Sequence, residues 1–341
     1  MPAIVDGSPE RGHMATDRAI LPPLQRGLRV LAALYLVGIA TSAIAADTYP
    51  SRPIRFVTAA VGGGNDFAAR VIAHGLSANV GQQVIVDNRG GSHIPQLIVS
   101  KATPDGYTLL VQNNTVWVAP LLEKVGYDHW TELVPISLTA RTPNILVVHP
   151  SLPVSSVKEL IAAAKAAPGE LNYASGVVGS SNYIAAEVFK AMAGVNLTRI
   201  GYKGTGPALI DVMSGQVKIM FSTTTSSWAH VKAGRLKALA ISTAEPSPLA
   251  PGLPTIAASG VPGYKAESIY AMWAPARTPQ PILARLHQEV VKVLTTPENR
   301  ERFLNSGAEV VASTPEVLAA EIRSEVARLE KIFKGAGVRE K

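Results

Sequence analysis

Residues 54–76, IRFVTAAVGGGNDFAARVIAHGL, decide the fold. The opening Ile54-Arg55-Phe56-Val57-Thr58 is rich in branched and aromatic side chains and reads as a strand. It breaks at Gly62-Gly63-Gly64. Asp66 then stands where a helix N-cap is expected, and Phe67, Val71, Ile72 and Leu76 fall on one face of the helix that follows. Strand, glycine loop and helix make one βα unit.

The same grammar runs outward from it. Gly81 stops the helix, and 83–86 reads as the next strand. Pro104-Asp105-Gly106 turns the chain into a strand over 107–112, which ends at Asn113-Asn114. A strand over 145–148 precedes a helix over 156–167. A second run covers about 170–245. Strand 171–174 leads through Ser175, Gly176 and Gly179 to a helix running from Ser180 or Ser181 to Gly194. Strand 198–202 leads to Lys203-Gly204-Thr205-Gly206, with Pro207 at the first helical position and Gly215 past the end. Strand 216–221 leads to Ser222-Thr223-Thr224-Thr225, a short helix, and strand 236–241. Five prolines make 245–263 irregular. The remainder reads as mostly helical. Ser313-Thr314-Pro315-Glu316 is a capping box, and Leu318, Ile322, Val326, Leu329 and Phe333 form the apolar stripe after it. This βαβα rhythm predicts an α/β protein with parallel sheets covered by helices on both faces.

The loops after the strands carry the chemistry. Each of Gly62–Asp66, Gly176–Ser181, Gly204–Pro207 and, less clearly, Ser222–Ser227 aims unpaired backbone N–H groups beyond a strand end. A helix N-terminus adds roughly half a positive charge. Several aimed at one crevice make an anion site without arginine, in the place where open α/β sheets hold ligands. Taken singly, each loop is also what a tight turn looks like. A glycine at 63 that lets a ligand approach would accept no side chain.

Composition excludes much else. The 341 residues are 47% hydrophobic and 17% charged, which suits a globular chain long enough for two domains. The absence of cysteine removes disulfides, thiolate metal sites and cysteine nucleophiles together. Thirty-two basic against 25 acidic residues give +7, with no basic block of the kind that marks a nucleic-acid surface. Histidines lack zinc-site spacing, and neither a Rossmann fingerprint, a P-loop nor a serine elbow is present. Metal and cofactor are therefore not expected. An exported hydrolase assembled from distant residues stays open as an alternative.

The N-terminus reads as an export signal. Arg26 and Arg29 precede the apolar run VLAALYLVGIA at 30–40, and Ala43-Ile44-Ala45 is an acceptable cleavage site. Residues 1–45 would be removed, whether translation starts at Met1 or Met14. No later stretch is long and apolar enough to span a bilayer.

The order of segments resembles a known family. YPSRPIRFVTAAVGGGNDFAARVIAHGL at 49–76, VIVDNRGG at 84–91, TPDGYTLL at 103–110 and LNYASGVVGSS at 171–181 come first. YKGTGPALIDVMSGQVKIMF at 202–221, HVKAGRLKALAIST at 230–243, LPTIAASGVPGY at 253–264 and STPEVLAAEI at 313–322 follow. Together they resemble the extracytoplasmic solute receptors of the tripartite tricarboxylate transporter system, the Bug receptors.

The resemblance implies a periplasmic-binding-protein-like fold of two α/β domains joined by crossover strands around a ligand cleft. Residues 46–145 with 266–341 would form one domain and 146–265 the other. It implies no catalysis. A periplasmic monomer would capture a small organic acid and deliver it to an inner-membrane permease, or alternatively report it to a sensor. The implied ligand-binding set is Val61, Gly62, Gly63, Gly64, Asn65, Asp66, His93, Asn113, Asn114, Ser175, Gly176, Gly179, Ser180, Ser181, Tyr183, Lys203, Gly204, Thr205, Ser222 and Thr223. Four positions depart from the family pattern. Val61 replaces a proline, 88–95 shortens a loop, Tyr183 replaces a histidine, and Ser222 replaces an acid that could meet a ligand amino group. These departures point towards a carboxylate without an amino group, with His93 and Tyr183 as candidate contacts.

Overall fold

The computed structural model describes residues 49–91 and 93–336. The expected export signal lies outside them. Along the chain run β1 (Ile54–Thr58), α1 (Gly64–Val80), β2 (Val84–Asn88), α2 (Ile94–Ser100), β3 (Thr108–Gln112), α3 (Thr115–Leu122) and β4 (Leu133–Val148). Next come α4 (Val157–Ala166), β5 (Asn172–Ser175), α5 (Ser181–Ala193), β6 (Thr198–Gly201), α6 (Thr205–Met213), β7 (Ile219–Thr223), α7 (Thr224–Lys232) and β8 (Lys237–Ile241). The chain finishes with β9 (Glu267–Pro275), α8 (Gln280–Thr295), α9 (Pro297–Asn305), β10 (Glu309–Val310) and α10 (Pro315–Ala336).

The strand path is β2-β1-β3-β9-β4-β7-β5-β6, with β8 and β10 also on β4. Its outer thirds are parallel, as the βαβ rhythm predicts: β1 pairs β2 and β3, and β5 pairs β6 and β7. Its centre is antiparallel, which the rhythm does not predict. Leu133–Pro143 of β4 runs against β9, and Asn144–Val148 runs against β7 and β8. One 16-residue strand thus belongs to both halves of an α/β molecule.

Packing follows the strand period. Leu146 and Val148 enter a core with Trp117, Tyr173, Phe189, Phe221, Trp273, Leu329 and Phe333. Ile145 and Val147 point the other way, into a second core with Ala208, Val212, Met220 and Leu236 beneath α6. Alternate side chains of one strand serve two cores, so β4 is buried on both faces. The helical stripe of α10 is buried as expected at Leu318, Ile322, Leu329 and Phe333.

Several local expectations are corrected. Asp66 lies inside the first turn of α1, whose N-cap is Gly63. Pro207 sits in the first turn of α6 and not at its first residue, since the helix already begins at Thr205. The strand expected at 216–221 is shifted to Ile219–Thr223. In α10 the cap is Thr314, whose hydroxyl accepts from Val317 N at 3.4 Å, while Ser313 Oγ turns away to accept from Leu138 N. The strand expected at 145–148 is only the end of β4; its earlier part carries Pro135 and Pro143, which disguise it. Among the described residues no helix is long and apolar enough to cross a membrane.

Candidate functional site

Five helices begin around one cleft. Their N-caps are Gly63 for α1, Asn114 for α3, Ser180 for α5, Gly204 for α6 and Thr223 for α7, and in none does the cap side chain accept a hydrogen bond from the first turn. Ser156 of α4 and Thr296 of α9, away from the cleft, do cap their helices. At α3 the neighbouring Asn113 takes the first N–H instead, its Oδ1 accepting from Thr115 N at 3.1 Å. N–H groups left unpaired at a helix start seek an acceptor, and the aligned peptide dipoles place positive potential there.

The cleft holds about 590 Å³ of empty space, counting what opens to solvent. Gly63, Gly64, Asn65, Asn113, Gly176, Ser180, Ser181, Lys203, Gly204, Thr205 and Thr223, all expected, line it. Ala59, Ala60, Gly91, Gln112, Thr115, Val177, Ser268 and Tyr270 line it too and were not expected. Among the described residues, Lys203 is the one charged side chain in the lining, and none there is acidic. Among the described residues, no group of three or more His, Asp or Glu side chains is gathered to hold a metal ion.

The other expected residues lie outside the lining. Val61 is 64% exposed. Gly62 takes φ 85°, and its N–H donates to Asp66 Oδ2 at 3.1 Å. Asp66 also accepts from Arg70 Nε at 2.8 Å and Asn88 Nδ2 at 2.9 Å. Partial burial opposes its charge, but these donors outweigh burial and hold its carboxyl below the usual range. Asp66 therefore braces the glycine loop from behind. His93 faces Glu123, with Nδ1 3.6 Å from Oε1. Asn114 points into the protein. Ser175 accepts from Arg199 Nε at 2.9 Å. Tyr183 is buried under the Arg199 guanidinium, 4.9 Å from the ring centre. Ser222 is fully buried on β7, so the cleft sees its neighbour Thr223.

The glycines of these loops differ in what surrounds them. Space around Gly63 is open. A Cβ on Gly64 would stand 1.8 Å from Tyr270 Oη, and only a glycine fits there. At Gly179, φ is 76° and a Cβ would meet Ala119 N at 2.9 Å, which seats the loop before α5 on α3. A Cβ on Gly204 would lie 3.3 Å from Ala60 Cβ, so the loop before α6 faces the loop after β1 at close range.

Asn182 ties two of these loops together. Its Oδ1 accepts from Gly176 N at 3.3 Å, from Tyr183 N at 3.0 Å and from Ser180 Oγ, and its Nδ2 donates to Thr205 Oγ1 at 3.4 Å. On the other side, Asn65 Nδ2 donates to Gln112 Oε1, which also accepts from Asn113 N. A cleft wall held by such amide clamps presents fixed dipoles, the preorganisation that anion recognition requires.

The family described as tripartite tricarboxylate transporter family receptor matches residues 68–338. Protein BugT of Bordetella pertussis is 34% identical over 319 residues, covering 91% of this chain and 98% of BugT. Rpa4515 of R. palustris, solved with adipate, is 36% identical with a TM-score of 0.82, covering 85% of this chain and 99% of its own. MatC of Rhodopseudomonas palustris, solved with bound malate, is 29% identical with a TM-score of 0.80, covering 83% and 99%.

Proposed function

The chain belongs to the tripartite tricarboxylate transporter receptor family, and on that premise we propose that its cleft captures a small organic carboxylate in the periplasm and delivers it to a membrane permease. The observation that carries the ligand class is the lining itself. The starts of α1, α5, α6 and α7, together with Lys203, border a space whose lining, among the described residues, holds no acidic side chain. Adipate in Rpa4515 and malate in MatC are dicarboxylates, and they support the same reading. The export signal at 1–45 accounts for the location, with release after Ala45.

Capture works by closure in this reading. Residues 46–145 with 266–341 form one domain and 146–265 the other, and the chain crosses between them near 139–144 and 265–270. The polar groups come from both domains, so a bound acid is enclosed only when they approach. A monomer suffices for this.

Isothermal titration against a panel of aliphatic and aromatic acids, each beside its methyl ester, tests the proposal. A charge-assisted hydrogen bond contributes about 1.5–3 kcal/mol, so an ester that loses two binds at least about a hundredfold more weakly. Equal affinity for acid and ester would refute the mechanism.

A further inference from the structure

Tyr270 sits on β9, which pairs with β3 and with the first part of β4, and lines the cleft with 1% exposure. Its backbone is fixed: it pairs with Ala140 next to a register shift in β4, and its carbonyl accepts from Thr139 Oγ1 at 2.9 Å. Its ring is fixed as well. The phenol is pressed against the first residue of α1, where a Cβ on Gly64 would stand 2.5 Å from Cζ. Its Oη lies 3.3 Å from Thr225 Oγ1 in the first turn of α7. Thr225 donates onward to Thr223 Oγ1 at 2.9 Å, and Thr223 to Ser226 Oγ at 3.0 Å, so the phenol is left to donate to Thr225. One side chain of the cleft lining therefore abuts the helix starts of both halves.

We propose that Tyr270 determines specificity by setting the length of acid that the closed cleft accepts. This rests on the carboxylate-receptor reading above. A rigid ring in the lining stops the inner end of a chain. A hydroxyl shared with α7 then fixes how closely the α1 and α7 starts approach each other around that end. A flexible side chain would yield to a longer ligand, but a phenol held by Gly64 and Thr225 cannot rotate away.

The test is titration of unbranched α,ω-dicarboxylates of increasing length into the wild-type receptor, Tyr270→Phe and Tyr270→Leu. Wild type is expected to show one length optimum. Tyr270→Phe keeps the ring, so the optimum stays while affinity falls about fivefold. Tyr270→Leu opens the lining there and moves the optimum to an acid longer by one or two carbons. Gly64→Ala supplies a second measurement. Alone it abolishes binding, because its Cβ meets the phenol. Tyr270→Leu in the same chain restores binding, whereas Tyr270→Phe does not, because Cζ remains in place. An unchanged optimum in a folded, binding-competent Tyr270→Leu receptor overturns the proposal, as does restoration of Gly64→Ala by neither variant. No binding of any dicarboxylate to wild type overturns the function reading itself, and this assignment with it.

Discussion

Asn114 donates its side-chain amide to both oxygens of Glu325, at 2.8 and 3.0 Å, while its own Oδ1 accepts from Ile269 N at 2.8 Å. Trp117 Nε1 adds a third donor to the carboxylate at 3.0 Å. A residue at the start of α3 is thereby tied to α10 on one side and to β9 on the other, next to the cleft-lining Ser268. Burial pushes the Glu325 carboxyl up to about 7, against the lowering influence of Arg328 and of these donors.

That raised value has a defined sign. The folded chain holds the Glu325 proton more tightly than the unfolded chain, so this group's stabilisation is full below pH 4.5 and is lost as pH rises towards 7. His129 acts in the opposite sense. Burial lowers it to about 4, so its contribution is absent at low pH and grows as pH rises towards 6.5. Each shift corresponds to about 3 kcal/mol. The two act against one another, and the melting temperature of the wild type is expected to vary less between pH 5 and 6.5 than that of a variant lacking either group. Glu325→Gln leaves the rising limb and His129→Asn leaves the falling one. Thermal melts of the three proteins across this range check the assignment; parallel profiles would contradict it.

Gly307 has φ 87°, and a Cβ there would meet Thr224 Cβ at 2.8 Å. Its carbonyl accepts from Thr142 Oγ1 at 2.9 Å and from Thr224 Oγ1, so it joins the middle of β4 to the first turn of α7. Gly307→Ala combines backbone strain with a clash and is expected to cost about 2–3 kcal/mol. Chemical denaturation reads this directly as a lower midpoint at unchanged slope.

Asn182 separates clamp from charge. Asn182→Ala frees both loops and is expected to weaken acid binding about tenfold. Asn182→Asp keeps the acceptor oxygens but sets a negative charge behind the starts of α5 and α6, so it should weaken binding further, and more so at low salt. Titration at two ionic strengths decides; an aspartate variant that binds as tightly as wild type would remove electrostatics from the account.

Gly62 and Gly63 are expected to behave differently under the same change. Gly62→Ala strains a left-handed residue by about 1–2 kcal/mol and disturbs the Asp66 brace. Gly63→Ala finds open space and leaves stability unaltered, but its methyl group enters the cleft lining. Melting curves paired with binding isotherms distinguish a stability defect in the first from an affinity defect in the second.

The outer βαβ units were legible because their signals are local. A strand of branched residues, a glycine loop and a 3.6-residue stripe all fall within about twenty neighbours of one another. The centre was not. Leu133–Pro143 carries two prolines, and Glu267–Pro275 follows a proline-rich stretch without an alternating pattern, because both strands are buried on both faces. The same cause hid Tyr270 and Ser268. They reach the cleft from a strand interior, where no glycine or cap residue announces them. Gln112 and Thr115 flank Asn113-Asn114, and the amide-rich run there was the signal that could have found them. Asp66 and Asn114 stand among the expected ligand contacts because capping residues and ligand donors look alike; Asp66 is taken up by Gly62, Arg70 and Asn88, and Asn114 by Glu325 and Ile269, far away in sequence.

The pairing of β4 with β9 also governs how the chain acquires its shape. Its partners, from Pro143 with Glu267 to Leu133 with Pro275, lie more than a hundred residues apart. Everything between them, including β5 to β8, must be synthesised before the central ladder can close, and the loop entropy is overcome only then. Closure is therefore expected late in folding. Until that closure β4 and β9 stay unpaired, two apolar segments waiting on each other with β5 to β8 between them.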